Sequence, residues 1–114
     1  MDIKKIHQYC LSKNKAYFDF PFEPEPTVVK VGCKRFALIG DNSISPKREP
    51  FTAEHLRQLY PAVKPRYHLN KQHWNTVSIY GTVPDEELKW MVDHSYELVF
   101  KSLTQAEREK ISEE

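Results

Sequence analysis

The chain is poor in the residues that mark several protein classes. It holds two cysteines, Cys10 and Cys33, in 114 residues, which is no disulfide framework and leads us to expect a reducing cytoplasm. Its three glycines form neither a Walker A loop nor a G-x-S-x-G elbow, and its cysteines form no C-x-x-C pair. No apolar run approaches the roughly 18–20 residues of a membrane span. The opening seven residues have no long apolar stretch after Lys4 and Lys5, so a secretory signal peptide is not expected. Repeats and low-complexity tracts are missing as well.

What remains is the composition of an ordinary globular domain, 39% hydrophobic and 29% charged. A chain of this length makes one domain, residues 1–114, and buries roughly two-thirds of its unfolded surface, enough for a single core.

A net charge of +1 hides an uneven distribution. Residues 1–29 are balanced. Residues 30–73 hold nine Lys/Arg against three acids, together with His55, His68 and His73, and residues 74–114 hold four bases against nine acids. A basic face would raise the local concentration of anionic partners, nucleic acid among them. Solvated strand edges and loops that never converge would give the same linear pattern.

The periodicity predicts an α+β domain. Ile3, Ile6, Cys10 and Leu11 make one apolar stripe of a helix over residues 2–13. The proline-rich run 18–26 reads as an extended connection whose phenylalanines cover a core edge. Residues 27–31 and 34–39 read as a hairpin turning at Gly32-Cys33. Residues 43–48 read as a weaker strand, placed at an edge because Pro46 lacks a ladder donor. Thr52 is a candidate cap for a short helix to Tyr60, with Ala53, Leu56, Leu59 and Tyr60 inward. Trp74 to Tyr80 alternates as a strand. A long helix opens near Pro84, with Asp85, Glu86 and Glu87 complementing its dipole and Leu88, Met91, Val92, Ser95 and Val99 facing inward. Thr104 and Glu107 form a capping box for a last short helix. The order, roughly α-β-β-β-α-β-α, implies two layers: a mostly antiparallel sheet with helices packed on one face.

The densest stretch is Tyr60 to Val77. Its Tyr-Pro-x-Val-x-Pro run (Tyr60 to Pro65) and the string His-Leu-Asn-Lys-x-His-Trp-Asn-Thr-Val (His68 to Val77) resemble the MmcQ/YjbR family. So do Tyr9-Cys10-Leu11-Ser12, Phe36-Ala37-Leu38, the helix start Val83 to Leu88 and the run Asp93-His94-Ser95-Tyr96. The resemblance covers nearly the whole chain. It implies a two-layer fold similar to CyaY-like and secretion-chaperone-like architectures, and a DNA-binding role of the type termed double-wing, with no reaction and no cofactor attached.

Candidate side chains follow from these readings. Lys47, Arg48, Arg66 and Lys71, with His68 and His73, are the donors expected to meet nucleic-acid phosphates, double-stranded DNA being the expected partner. Three or four phosphate contacts would give a log K against log salt slope of about −3. Asn70, Trp74 and Asn75 are expected to be structural: Asn70 capping a single turn, Trp74 anchoring the core at a strand start. His68 and His73, five apart, fit no standard zinc spacing, even with His94. Cys10 reads as packing on a helix stripe, Cys33 as a turn residue beside Lys34 and Arg35. The expectation is a non-enzymatic, monomeric, cytoplasmic binding module without metal or cofactor. A small-molecule module that sequesters a drug, or a protein interaction module, is the alternative.

Overall fold

A computed structural model of the chain describes residues 2–21, 26–66, 69–70 and 72–112. Among these, the elements run α1 (Ile3–Leu11), β1 (Tyr17–Asp19), β2 (Thr27–Val31), β3 (Lys34–Ile39), β4 (Ser43–Pro46), α2 (Pro50–Leu59), β5 (Val63–Pro65), β6 (Asn75–Ser78), α3 (Asp85–Ser102) and α4 (Gln105–Ser112). The strands make one sheet in the order β1-β2-β3-β4-β6-β5, and every pairing is antiparallel. The expected α+β class and the early hairpins are present. The sheet gains two three-residue strands, β1 and β5, that periodicity cannot detect at that length.

Helix α1 begins where Asp2 accepts from the Lys5 amide at 2.8 Å. It buries Ile6 and Cys10 and leaves Leu11 exposed. Asp93 of α3 ties it down by accepting the Tyr9 hydroxyl at 2.6 Å and pairing with Lys13. Helix α3 buries the five residues expected, Leu88, Met91, Val92, Ser95 and Val99. The capping box is present, Glu107 N–H donating to Thr104 Oγ1 at 3.2 Å and Thr104 N–H to Glu107 Oε1 at 3.4 Å. The Thr104 hydroxyl, donating to Glu107 Oε1 at 3.1 Å, and then the Thr104 amide hold the Glu107 carboxyl below its ordinary range.

Two expectations need correction. Helix α2 starts at Pro50, which suits a first helical position, so Thr52 is inside it and Leu59 stays 55% exposed. Strand β4 is interior rather than an edge, because β6 reaches only Ser43 and Ile44 and leaves the Pro46 end free of that ladder. At that end α3 also bridges β4 to β3. Ser95 Oγ accepts the Lys47 amide at 2.7 Å and donates to the Phe36 carbonyl at 2.5 Å, joining β3 to the end of β4.

Phe36 is also the residue without a partner in β2, whose register slips between Val29 and Lys30. Such a bulge lets two successive side chains face the same way. Phe36 and Ala37 both enter the main core with Val29, Val31, Ile39, Val77 and the helices, while Arg35 turns to the opposite face. That opposite face holds a smaller cluster, Val28, Leu38 and Trp74, with Leu69 against it.

Candidate nucleic-acid interface

Among the described residues no helix contributes to the cluster on the second face of the sheet, and the composition of that face follows from strand alternation. Val28 pairs with Leu38 and Lys30 with Arg35, so all four share this face. Leu38 pairs with Ser45, whose hydroxyl lies 3.2 Å from that of Thr76, and Thr76 pairs with Lys64. Two residues beyond Ser45, Lys47 bridges to Trp74, and the Arg66 amide donates to the Trp74 carbonyl at 3.0 Å. Lys30, Arg35, Lys47, Lys64 and Arg66 therefore stand on one side of five strands.

These cations are not equivalent. Lys30 is paired with Asp19 at 2.8 Å, and that partner raises its pKa while lowering that of Asp19. Lys34, at the hairpin, donates to the Ser102 carbonyl at 3.0 Å, a favourable place for a cation at the end of α3. Arg35 lies with its guanidinium carbon 5.7 Å from the Trp74 ring centroid. Among the described residues no acid pairs with Lys47, Lys64 or Arg66. Arg66 Nε is buried without a hydrogen-bond partner, and its side chain lines an open hollow of ≈ 410 Å³ with Pro26 and residues 40–43.

A second open groove, ≈ 420 Å³, is lined by Lys30, Cys33, Lys34, Arg35, Lys47 and Trp74. Its floor is apolar and its walls are cationic. Trp74 is only 5% exposed, sunk among Val28 and Leu38, so it supports Arg35 rather than offering a free ring. The turn at one end is fixed by Gly32 at φ +62, where a side chain would also press on Leu103 and Glu107 at 3.1 Å.

The residues expected from the sequence divide. Lys47 and Arg66 reach the open face. Arg48 does not: being next to Lys47 in an extended segment it points the other way, is 7% exposed, and has Glu49 Oε2 3.5 Å from its Nε. His73 spends its ring on the backbone, with Nδ1 3.0 Å from the Arg48 carbonyl, while Arg48 N–H donates to the His73 carbonyl at 2.7 Å. His68 and Lys71 lie outside the described residues. Asn70 Oδ1 accepts the Gln72 amide at 3.0 Å. Asn75 is buried and joins β6 to α2, donating to the Ala53 carbonyl at 3.0 Å and accepting Arg57 Nε at 2.6 Å. Lys30, Arg35 and Lys64 are additions. Their signal was alternation within strands, but the bulge at Phe36 hides it for Arg35, and β5 is too short to show it for Lys64.

Among the described residues no group of three or more His, Cys, Asp or Glu could hold a metal ion. Nor is any described helix long and apolar enough to cross a membrane.

A family model described as YjbR matches residues 11–98. The "Uncharacterized protein YjbR" of Escherichia coli K12 is 35% identical over 112 residues, covering 95% of each chain. The "Uncharacterized protein YbdF" of Escherichia coli O157:H7 is 32% identical over 96 residues, covering 81% of this chain and 79% of its own. The crystal structure of Deinococcus radiodurans protein DR2400, family-model domain DUF419, superposes with a TM-score of 0.88 at 36% identity, covering 97% of this chain and 88% of that one. A crystal structure of a protein from Pseudomonas syringae superposes at 0.75 with 27% identity, covering 86% of this chain and 98% of that one.

Proposed function

The chain belongs to the YjbR family, and from that premise we propose that it is a non-enzymatic binding module for nucleic acid, held on the open face of the sheet. One observation carries this reading: strand alternation points Arg35, Lys47, Lys64 and Arg66 to the same side, and acids leave Lys47, Lys64 and Arg66 uncompensated among the described residues. The ligand is double-stranded DNA bound through its phosphates by a monomer in the cytoplasm. The double-wing role and the CyaY-like architecture implied by the family resemblance belong to this proposal. No catalytic residue and no cofactor enter it. The alternative, a small-molecule or protein interaction module, calls for an apolar cleft walled by Trp74 and phenylalanines. The groove beside Trp74 is walled by three lysines and an arginine, which favours a polyanion.

Four phosphate contacts make the expected slope of log K against log salt about −3 to −4. Titration of random-sequence duplex DNA at two salt concentrations measures it. Absence of binding at low salt overturns the reading.

A further inference from the structure

The groove at Lys47 differs from the rest of the open face in having a carboxylate behind the turn at one end. Lys30, Arg35 and Lys47 line it, with Cys33 and Lys34 at the turn between β2 and β3. Behind that turn stands an acid: Glu107 Oε2 accepts from Cys33 Sγ at 3.6 Å and sits where a side chain on Gly32 would meet it at 3.1 Å. The hydrogen bonds from Thr104 favour its charged form. A phosphodiester chain carried beyond the turn at Cys33 would approach this carboxylate. A chain that ends in the groove would not.

The charge count points the same way. Asp19 neutralises Lys30, and the Lys34 ammonium, at the end of α3, lies near enough to Glu107 to favour its charged form. Two cations remain uncompensated, Arg35 on the Trp74 ring and Lys47 beside it. An internal phosphodiester carries one negative charge. A phosphate monoester carries roughly 1.5–2 at neutral pH, with three acceptor oxygens. Arg35 and Lys47 converging on one hollow match the monoester, and the planar guanidinium suits its oxygens.

Resting on the nucleic-acid reading above, we infer that this groove takes a phosphate monoester, the terminal phosphate of a nucleic-acid strand, while Lys64 and Arg66 hold the backbone leading up to it. The module then prefers phosphorylated ends to continuous duplex.

The test uses a DNA hairpin labelled in its loop, whose single end carries either a 5′ phosphate or a 5′ hydroxyl. The phosphorylated hairpin is expected to bind about tenfold tighter, the gain of one charge-assisted contact. Lys47→Gln and, separately, Arg35→Gln remove that advantage. Lys64→Gln weakens both hairpins alike. Lys47→Gln leaves the Arg35–Trp74 contact in place and so stays informative if the Arg35 variant folds poorly. A nucleoside 5′-monophosphate as competitor separates the two sources of the group. Displacement only far above the hairpin concentration assigns the groove to a strand end. Displacement at matching concentration supports the monoester but overturns the strand end. Equal affinity for both hairpins overturns the end-group inference and leaves the nucleic-acid reading standing. Failure of both hairpins to bind at low salt overturns the two together.

Discussion

The two faces of the sheet are made by alternate residues of the same strands, and they answer to different physics. One face is closed by α1, α3 and α4 over Val29, Val31, Phe36, Ile39 and Val77, each no more than 1% exposed. The other has a small apolar island, Val28, Leu38 and Trp74, ringed by Lys30, Arg35, Lys47, Lys64 and Arg66. The first face supplies the area that holds the chain folded. The second keeps cations where water reaches most of them and an anion can displace that water, Arg66 Nε alone among these being buried without a partner. Substitutions on the closed face should therefore be read in stability, and those on the open face in binding and its salt dependence.

The largest contrast is between the two thiols, one under each face. Cys10 is fully buried among α1 and the core, and burial pushes its pKa from 9.0 up to about 12. Cys33 is exposed at the hairpin turn. At a given pH, burial cuts the reactive thiolate of Cys10 about a thousandfold below that of an ordinary cysteine. A thiol reagent at mild alkaline pH should titrate one cysteine in the folded protein and two after unfolding; two fast-reacting thiols in the native state would break the contrast. The sign for stability follows. The folded pKa is raised, so the unfolded chain releases this proton first. Stability is intact below about pH 9 and falls from there toward pH 12. Cys10→Ser should remove the part of the decline that sets in near pH 9 and leave the later part that burial of the Tyr9 and Tyr96 hydroxyls contributes, in urea melts taken across this range.

Next in size is the bridge between α3 and the sheet. Ser95→Ala leaves the Phe36 carbonyl and the Lys47 amide without the hydroxyl that serves both. A buried carbonyl and a partly buried amide losing their partner should cost about 2–3 kcal/mol, read from urea denaturation. A loss below ~1 kcal/mol would mean that β3 and β4 can close this gap directly. Because Lys47 leaves the sheet at this point, the same variant should also weaken DNA binding, which joins the two faces through one residue.

How far these faces could be seen beforehand differs between them. The closed face was legible: the stripes of α1 and α3, the hairpin at Gly32 and the capping box of Thr104 and Glu107 all follow from local rules of period and capping. The open face was legible only as a surplus of cations between residues 30 and 73. Which of them share a side depends on the bulge at Phe36 and on strands too short to alternate visibly. Arg48 shows the cost of that gap. Adjacent to Lys47 and equally basic, it falls on the other side of an extended backbone and is buried. Linear proximity of charge carries no information about facing, whereas register does.

On the open face the expected stability effects are small. Lys47→Ala and Lys64→Ala should each change stability by less than about 0.5 kcal/mol, and each should reduce the magnitude of the salt slope by about 0.9. The double variant should lose both increments, since the two residues belong to different strands and share no partner. Unchanged slopes with intact folding would move the interface off this face.

The smallest expected effect sharpens the comparison most, because it concerns an acid at the rim of a cationic surface. Glu107→Gln keeps a side chain that can accept the Thr104 amide, so the cap on α4 should hold and stability should stay close to that of the parent. What changes is the charge behind the turn of Gly32 and Cys33. Removing it should raise affinity for the hairpin without an end phosphate about twofold, narrowing the gap between the two hairpins from one side. Lowering the pH should imitate the substitution, but only well into the acid range, since the hydrogen bonds from Thr104 hold this carboxyl below its ordinary value. If the variant instead weakens both hairpins equally, Glu107 acts on binding through the fold of the turn. If it strengthens the phosphorylated hairpin more, the carboxylate opposes the end group itself and does not serve as the groove's stop.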